Sequence, residues 1–254
     1  MRDNDSEFTI DREDGIILSY PLSAGYNSIR RRGKVGPRLR RMTANNLSNK
    51  TGVERDAPEV KMPDLFSART RAEDLQKVLD AMPARLFEDL TSAAEAACGS
   101  LRKRGGIYFV GNGGSASSAE HMASEFVGRF ACDRPPLRSG VLTACGSILT
   151  ALANDYAPDE LFARQVRGLL DEDDTLVALS TSGRSPNILR ALEAAADVGC
   201  TRIGFTGNCS VEFAARCDWV LAVPSASVPR IQEVHLLLGH VFCELVEQNL
   251  VRLG

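Results

Sequence analysis

The sequence predicts an α/β fold, a doubly wound five-stranded parallel sheet with helices on both faces. Three observations predict it. Five short apolar runs end in turn residues, segments of helical period alternate with them, and the loops after the first and third runs are rich in Gly and Ser. The runs are Ile107 to Val110 before Gly-Asn-Gly-Gly, Gly140 to Thr143, Thr175 to Leu179 before Ser-Thr-Ser-Gly, Arg202 to Phe205 before Thr-Gly-Asn, and Trp219 to Val223. Near-continuous apolar runs suit strands covered on both faces, and helical connections between them imply parallel pairing through right-handed crossovers.

Between the runs the apolar residues fall three and four apart, which places them on one helix face. Leu75, Val78, Leu79, Met82, Leu86, Leu90, Ala93, Ala97 and Leu101 describe amphipathic helix from about residue 71, broken near Pro83, where a missing N–H and a ring clash interrupt the ladder. Further helices are expected over Ser115 to Phe130, Ser147 to Leu152, Glu160 to Leu170, Pro186 to Val198 and Val211 to Arg216. The last runs from about Pro229 to Val251, with Pro in the first turn, where its missing N–H has no helical partner anyway. No internal repeat is apparent.

Residues 1–62 differ from the rest, with few clustered apolar residues and a basic run, RRRGKVGPRLRR, from Arg30 to Arg41. They read as a low-order, disordered N-terminal extension ahead of one domain over 63–254. The basic run suits nucleic acid or an acidic partner, and equally a solvated tail; Met42 and Met62 offer alternative starts. A net charge of −3 gives the chain as a whole no reason to seek nucleic acid or an anionic membrane. The 7 cysteines are odd in number and never spaced C-x-x-C, which argues against a disulfide framework or a thiolate zinc site and for a reducing, cytoplasmic setting. No apolar stretch reaches the roughly 18 residues of a membrane span, and the start MRDNDSEF lacks a secretory apolar run.

In a doubly wound sheet ligands bind outside the carboxyl ends of the strands, which directs attention to GNGGS (111–115) and STSGRSPN (180–187). The second loop offers the hydroxyls of Ser180, Thr181, Ser182 and Ser185 and the N–H groups of a Gly-containing turn at a helix N-terminus, the parts of a phosphate cradle. The plainer alternative is an ordinary Ser/Thr helix cap. GNGGS is not the dinucleotide fingerprint, because Ala116 stands where the third Gly belongs and no acidic residue ends the next strand, so nucleotide binding is disfavoured. His121 and Glu125 are four apart and share a helix face, while Gln232 and His240 lie eight apart on the last helix. Two His, a Glu and a Gln can hold a borderline divalent ion such as zinc; taken singly, the first two read as a solvated pair and His240 as a packed helix residue. His235 reads as structural.

The segments GNGGSASSAEHMASEFVGRF, ALANDY, FARQV, STSGRSPN, FTGN and PRIQEVHLLLGHVFCELVE, in this order over about residues 63–252, resemble the bacterial sedoheptulose 7-phosphate isomerases, a branch of the sugar isomerase (SIS) proteins with a flavodoxin-like sheet. The resemblance implies zinc on His121, Glu125, Gln232 and His240, one ion per subunit, and phosphate on Ser180, Thr181, Ser182 and Ser185. It implies sugar contacts from Asn112, Gly113, Gly114, Ser115, Arg129, Asn154, Asp155 and Gln232. It implies catalysis by Glu125 as base and His240 as acid/base through an enediol, and a homotetramer with sites at subunit interfaces. A metal-bound carboxylate is a weaker base, so the two roles of Glu125 compete. The sequence departs from the pattern at Cys145, where many relatives are acidic, at Arg184, where Asn is frequent, and at Cys209 to Val211, where Asp-Gly-Gly is usual. The rival readings are a non-catalytic SIS regulator similar to the DnaA initiator-associating protein, which lacks the second His of the final helix, and another SIS activity such as an N-acetylmuramic acid 6-phosphate etherase or a hexulose phosphate isomerase.

Overall fold

Five short strands form one parallel sheet whose central members are buried along nearly their whole length, as expected of strands with helices on both faces. The computed structural model describes residues 68–251; the extension over 1–62 and its basic run lie outside them. The elements in chain order are α1 (Ala68–Asp80), α2 (Ala84–Arg102), β1 (Ile107–Gly111), α3 (Gly114–Val127), β2 (Ser139–Val141), α4 (Gly146–Asp155), α5 (Glu160–Leu169), β3 (Thr175–Ser180), α6 (Pro186–Val198), β4 (Thr201–Thr206), α7 (Val211–Ala214), β5 (Trp219–Ala222) and α8 (Val228–Val251). The helical break falls where Pro83 precedes α2 in an extended conformation.

The strand order is β2-β1-β3-β4-β5. The chain leaves β1 in one direction, to β2, and crosses back to β3 on the other side. Right-handed crossovers taken in opposite directions put their helices on opposite faces, so α3 and α6 lie on either side of the sheet. The side chains divide accordingly. Phe109, Val177, Leu179, Ile203 and Phe205 face a core completed by α2, α3 and α8, while Val110, Leu176 and Ala178 face one completed by α5, α6 and Phe213 of α7. The reversal opens a crevice beyond the carboxyl ends of β1 and β3, and both suspected loops lie at it.

Three of the boundaries that differ from expectation bear on the site. Strand β2 is a three-residue edge strand starting at Ser139, after which Leu142 donates one more bond to the Phe109 carbonyl. Helix α4 continues to Asp155, which puts Asn154 and Asp155 in its last turn. Helix α3 stops at Val127, short of Phe130, because the N–H groups of Phe130, Ala131 and Cys132 go to the Glu247 carboxylate of α8 instead of the helix ladder. No helix among the described residues is long and apolar enough to cross a membrane.

Candidate active site

Helix α3 begins almost as soon as β1 ends, and glycine makes the turn possible. Gly113 adopts φ 56° and ψ −120°, a region open to residues without a side chain, and the Ser115 and Ala116 N–H groups then bond the Asn112 and Gly113 carbonyls. Gly114 serves a second purpose, since a Cβ there would lie 2.6 Å from Nε2 of Gln232. The Gln232 amide of α8 thus rests on the first turn of α3.

From that contact the two helices run side by side and parallel. Gly114 meets Gln232 at one end, and Met122 meets Gly239 two turns later. This register brings the neighbouring residues, His121 and His240, together, with Nε2 atoms 2.8 Å apart and rings in an edge-on arrangement. Glu125, one turn beyond His121, presents a carboxylate oxygen 3.4 Å from His121 Nε2. One ligand atom each from His121, Glu125 and His240 lie within 4.8 Å of one another. The Phe130 ring packs 5.7 Å from the His240 ring. The sequence expectation that these three residues converge from two distant helices is therefore met by geometry, and the trio opens to solvent on the His121 side, 44% exposed.

The phosphate-cradle expectation can be weighed against the ordinary cap. Ser185 occupies the N-cap of α6, with Pro186 following, yet its hydroxyl makes no capping bond. It faces the Ser180 hydroxyl at 3.4 Å instead. Ser182 Oγ accepts the Arg184 N–H, Gly183 takes a left-handed φ of 60°, and the Thr181 carbonyl accepts from Gly207 N–H. A loop whose Ser180 and Ser185 hydroxyls face each other at a helix N-terminus, with Ser185 not consumed in capping, is suited to an anion.

The two loops are joined across the crevice by a contact that sequence reasoning missed. The side-chain amides of Asn112 and Asn187 exchange two hydrogen bonds, of 2.8 and 3.0 Å. Asn187 closes the STSGRSPN segment, but nothing in its local spacing marks a partner 75 residues away.

A SIS domain model matches residues 72–207, more than half of the chain. The phosphoheptose isomerase of Burkholderia pseudomallei is 49% identical over 179 residues, which are 70% of this chain and 91% of that protein. The solved phosphoheptose isomerase of Neisseria gonorrhoeae superposes with a TM-score of 0.67 at 36% identity, covering 71% of this chain and 96% of the other. That of Francisella tularensis gives 0.64 at 32% identity, covering 74% and 100%. The chain belongs to the phosphoheptose isomerase family of SIS-domain proteins.

As a member of that family the chain is a sugar phosphate isomerase, and its five-stranded sheet is the SIS fold. The remaining expected site residues are scattered in this family member. Ser115 is buried at the first turn of α3. Arg129 is exposed just after α3, and Asn154 donates to the neighbouring Asp155 at 2.7 Å at the end of α4. Cys145, exposed, precedes α4 without capping it. Close by, Thr143 donates to Glu120, one residue before His121, which puts an acidic group beside this segment.

His235 is structural as expected, but unusually placed. It is 1% exposed, its ring stands edge-on to Phe205, and neither ring nitrogen has a hydrogen-bond partner; the Thr206 hydroxyl is similarly orphaned. Burial pushes its pKa down to about 4, while the Thr206 backbone, close but short of hydrogen-bond geometry, opposes the shift. Between pH 6.5 and about 4 the unfolded chain takes up a proton that the folded chain refuses. Stability therefore falls as pH falls through that window, by on the order of 3 kcal/mol when complete. His235→Phe is expected to remove that part of the slope, and urea midpoints at neutral and acid pH check it; an unaltered acid sensitivity would sink the assignment.

Proposed function

We propose that the chain converts sedoheptulose 7-phosphate to D-glycero-D-manno-heptose 7-phosphate by proton transfer through an enediol, in a zinc-assisted site. The observation that carries the reading is the meeting of Glu125 with His121 and His240 on parallel helices that also border the anion loop.

In this reading the hydroxyls of Ser180, Thr181, Ser182 and Ser185 and the N-terminus of α6 hold the phosphate. Asn112, Gly113, Gly114, Ser115, Gln232, Arg129, Asn154 and Asp155 serve the sugar hydroxyls, the last three by loop adjustment or across a subunit boundary. Glu125 takes a proton from C1 of the ketose and returns it to C2, while His240 moves a proton from the C1 hydroxyl to the C2 oxygen. The donor set fits zinc: two imidazole nitrogens and a carboxylate, of types that bind it. Donors around a tetrahedral zinc stand about 3.3 Å apart, so the 2.8 Å between the two Nε2 atoms opens slightly on binding. Held by His121, Glu125 and His240, with Gln232 as a further donor, the ion would supply polarisation of the carbonyl and charge stabilisation of the enediol.

The same proposal includes a cytoplasmic homotetramer. Helix α4 has an apolar sequence and no buried residue, and Ile148, Leu152 and Leu169 line a groove of about 230 Å³ between α4 and α5. A second copy of the chain is the cover we assign to it. The 7 free cysteines suit a reducing compartment. His240 within the cluster favours an enzyme over a non-catalytic SIS regulator.

Full-length protein is expected to interconvert the two heptose phosphates, to stop when treated with a chelator and to recover with added Zn(II), as followed by NMR of the sugar. Metal-loaded, correctly assembled protein without turnover overturns the reading.

A further inference from the structure

The segment after α3 is tied to α8 by a buried ion pair that the proposed chemistry does not use. Glu247, 2% exposed, accepts from the N–H groups of Phe130, Ala131 and Cys132 at 3.2, 2.8 and 2.9 Å and from Arg134 Nε at 2.8 Å. Burial pushes the Glu247 carboxyl up, and the Cys132, Ala131 and Phe130 N–H groups with Arg134 outweigh it, so the group stays ionised with a pKa below the usual range. Arg134, 7% exposed, also reaches α3 itself, bonding the Glu125 carbonyl at 2.8 Å and the Phe126 carbonyl at 3.0 Å, with a further bond to the Pro135 carbonyl at 3.2 Å.

These bonds lead to the reacting groups by two short routes. One end of the Arg134 fork grips the backbone of Glu125. On the other side, the Phe130 N–H held by Glu247 belongs to the residue whose ring packs against His240. Glu247 itself stands on α8 two turns beyond His240. The last turn of α3 ends beside Gly128, where the Phe126 carbonyl also accepts from Leu137 N–H and the Glu125 carbonyl is bonded by Arg134.

We propose that Arg134 and Glu247 form a positioning pair, which locks the C-terminal end of α3 to α8 and thereby sets the spacing of Glu125 and His240. The inference rests on the reading of the trio as a metal-assisted isomerase site. A buried pair of this kind contributes little net stability compared with an apolar pair, but it fixes geometry, because its fork and carboxylate accept only one arrangement of partners.

Co(II), whose visible spectrum reports coordination, is titrated into the metal-free full chain and its variants. Arg134→Lys keeps the charges and loses the fork onto Glu125 and Phe126, so it is the milder change; Glu247→Gln removes the carboxylate. Each is expected to weaken Co(II) binding about 10- to 100-fold and to alter the spectrum, the range typical of residues that orient ligands from behind. The control is Asp174→Asn at the opposite end of the sheet, where a fully buried carboxylate accepts the Gly106 and Asp171 N–H groups. It lowers stability while leaving Co(II) affinity as in wild type. Wild type that binds Co(II), with Arg134→Lys binding equally well, overturns the pair alone. Equal weakening in Asp174→Asn also overturns it, as a general stability effect. Wild type that binds no Co(II) overturns the metal-site reading together with the pair.

Discussion

Glu125→Gln is expected to lower kcat about 1,000-fold while the variant remains folded, because a positioned general base contributes roughly 100- to 10,000-fold and an amide cannot accept the proton. Glu125 is half-buried in the last turn of α3, so the isosteric amide disturbs little packing. His240→Ala is expected to fall as far, since it removes both the hydroxyl proton carrier and a donor of the trio. Rates are read by NMR of the sugar, with the far-ultraviolet spectrum and assembly state as controls for folding. A Glu125→Gln variant within tenfold of wild type removes Glu125 from the chemistry and leaves His121 and His240 as the only candidates in the cluster.

Gly239→Ala is expected to lower kcat about 100-fold, the size of loss that follows a misplacement near 1 Å. A Cβ at this position would lie 2.5, 2.7 and 3.1 Å from Cε, Sδ and Cγ of the fully buried Met122. Two effects on stability oppose each other. Ala in a helix interior gains about 1 kcal/mol over Gly, and overpacking costs about 1–3 kcal/mol, so the net change is small. The spacing of α3 and α8 has no such compensation, because His121 and His240 are the immediate neighbours of Met122 and Gly239. Met122→Ala in the same chain frees the space and is expected to restore part of the activity. Unchanged turnover in Gly239→Ala would show that the helices do not set the site by their close approach.

Several of these residues were legible before any coordinates. A helical period puts His121 and Glu125 on one face wherever the helix lies, and the Gly-Asn-Gly-Gly and Ser-Thr-Ser-Gly turns announce strand-to-helix junctions by their own chemistry. The positions of α3 and α6 on opposite faces follow from crossover handedness only once the strand order puts β2 and β3 on either side of β1. The Asn112–Asn187 pair was not legible, nor was the role of Glu247, because each is a contact between residues far apart in sequence whose local surroundings carry no mark of it. The same cause misled the end of α3: Phe130 to Cys132 continue a plausible helix until a carboxylate from α8 captures their N–H groups.

Element types, the strand-end loops and the sharing of a face by His121 and Glu125 are matters of short-range periodicity and backbone preference, which the order of residues specifies locally. The register of α3 against α8 is of another kind. It depends on Gly114 under Gln232, on Gly239 under Met122 and on the Arg134–Glu247 bond, each a steric or polar fit between surfaces that meet only after the sheet has formed. That register, and with it the 2.8 Å approach of His121 and His240, emerges from packing, because helices of equal pattern can slide or rotate until close contacts leave a single arrangement.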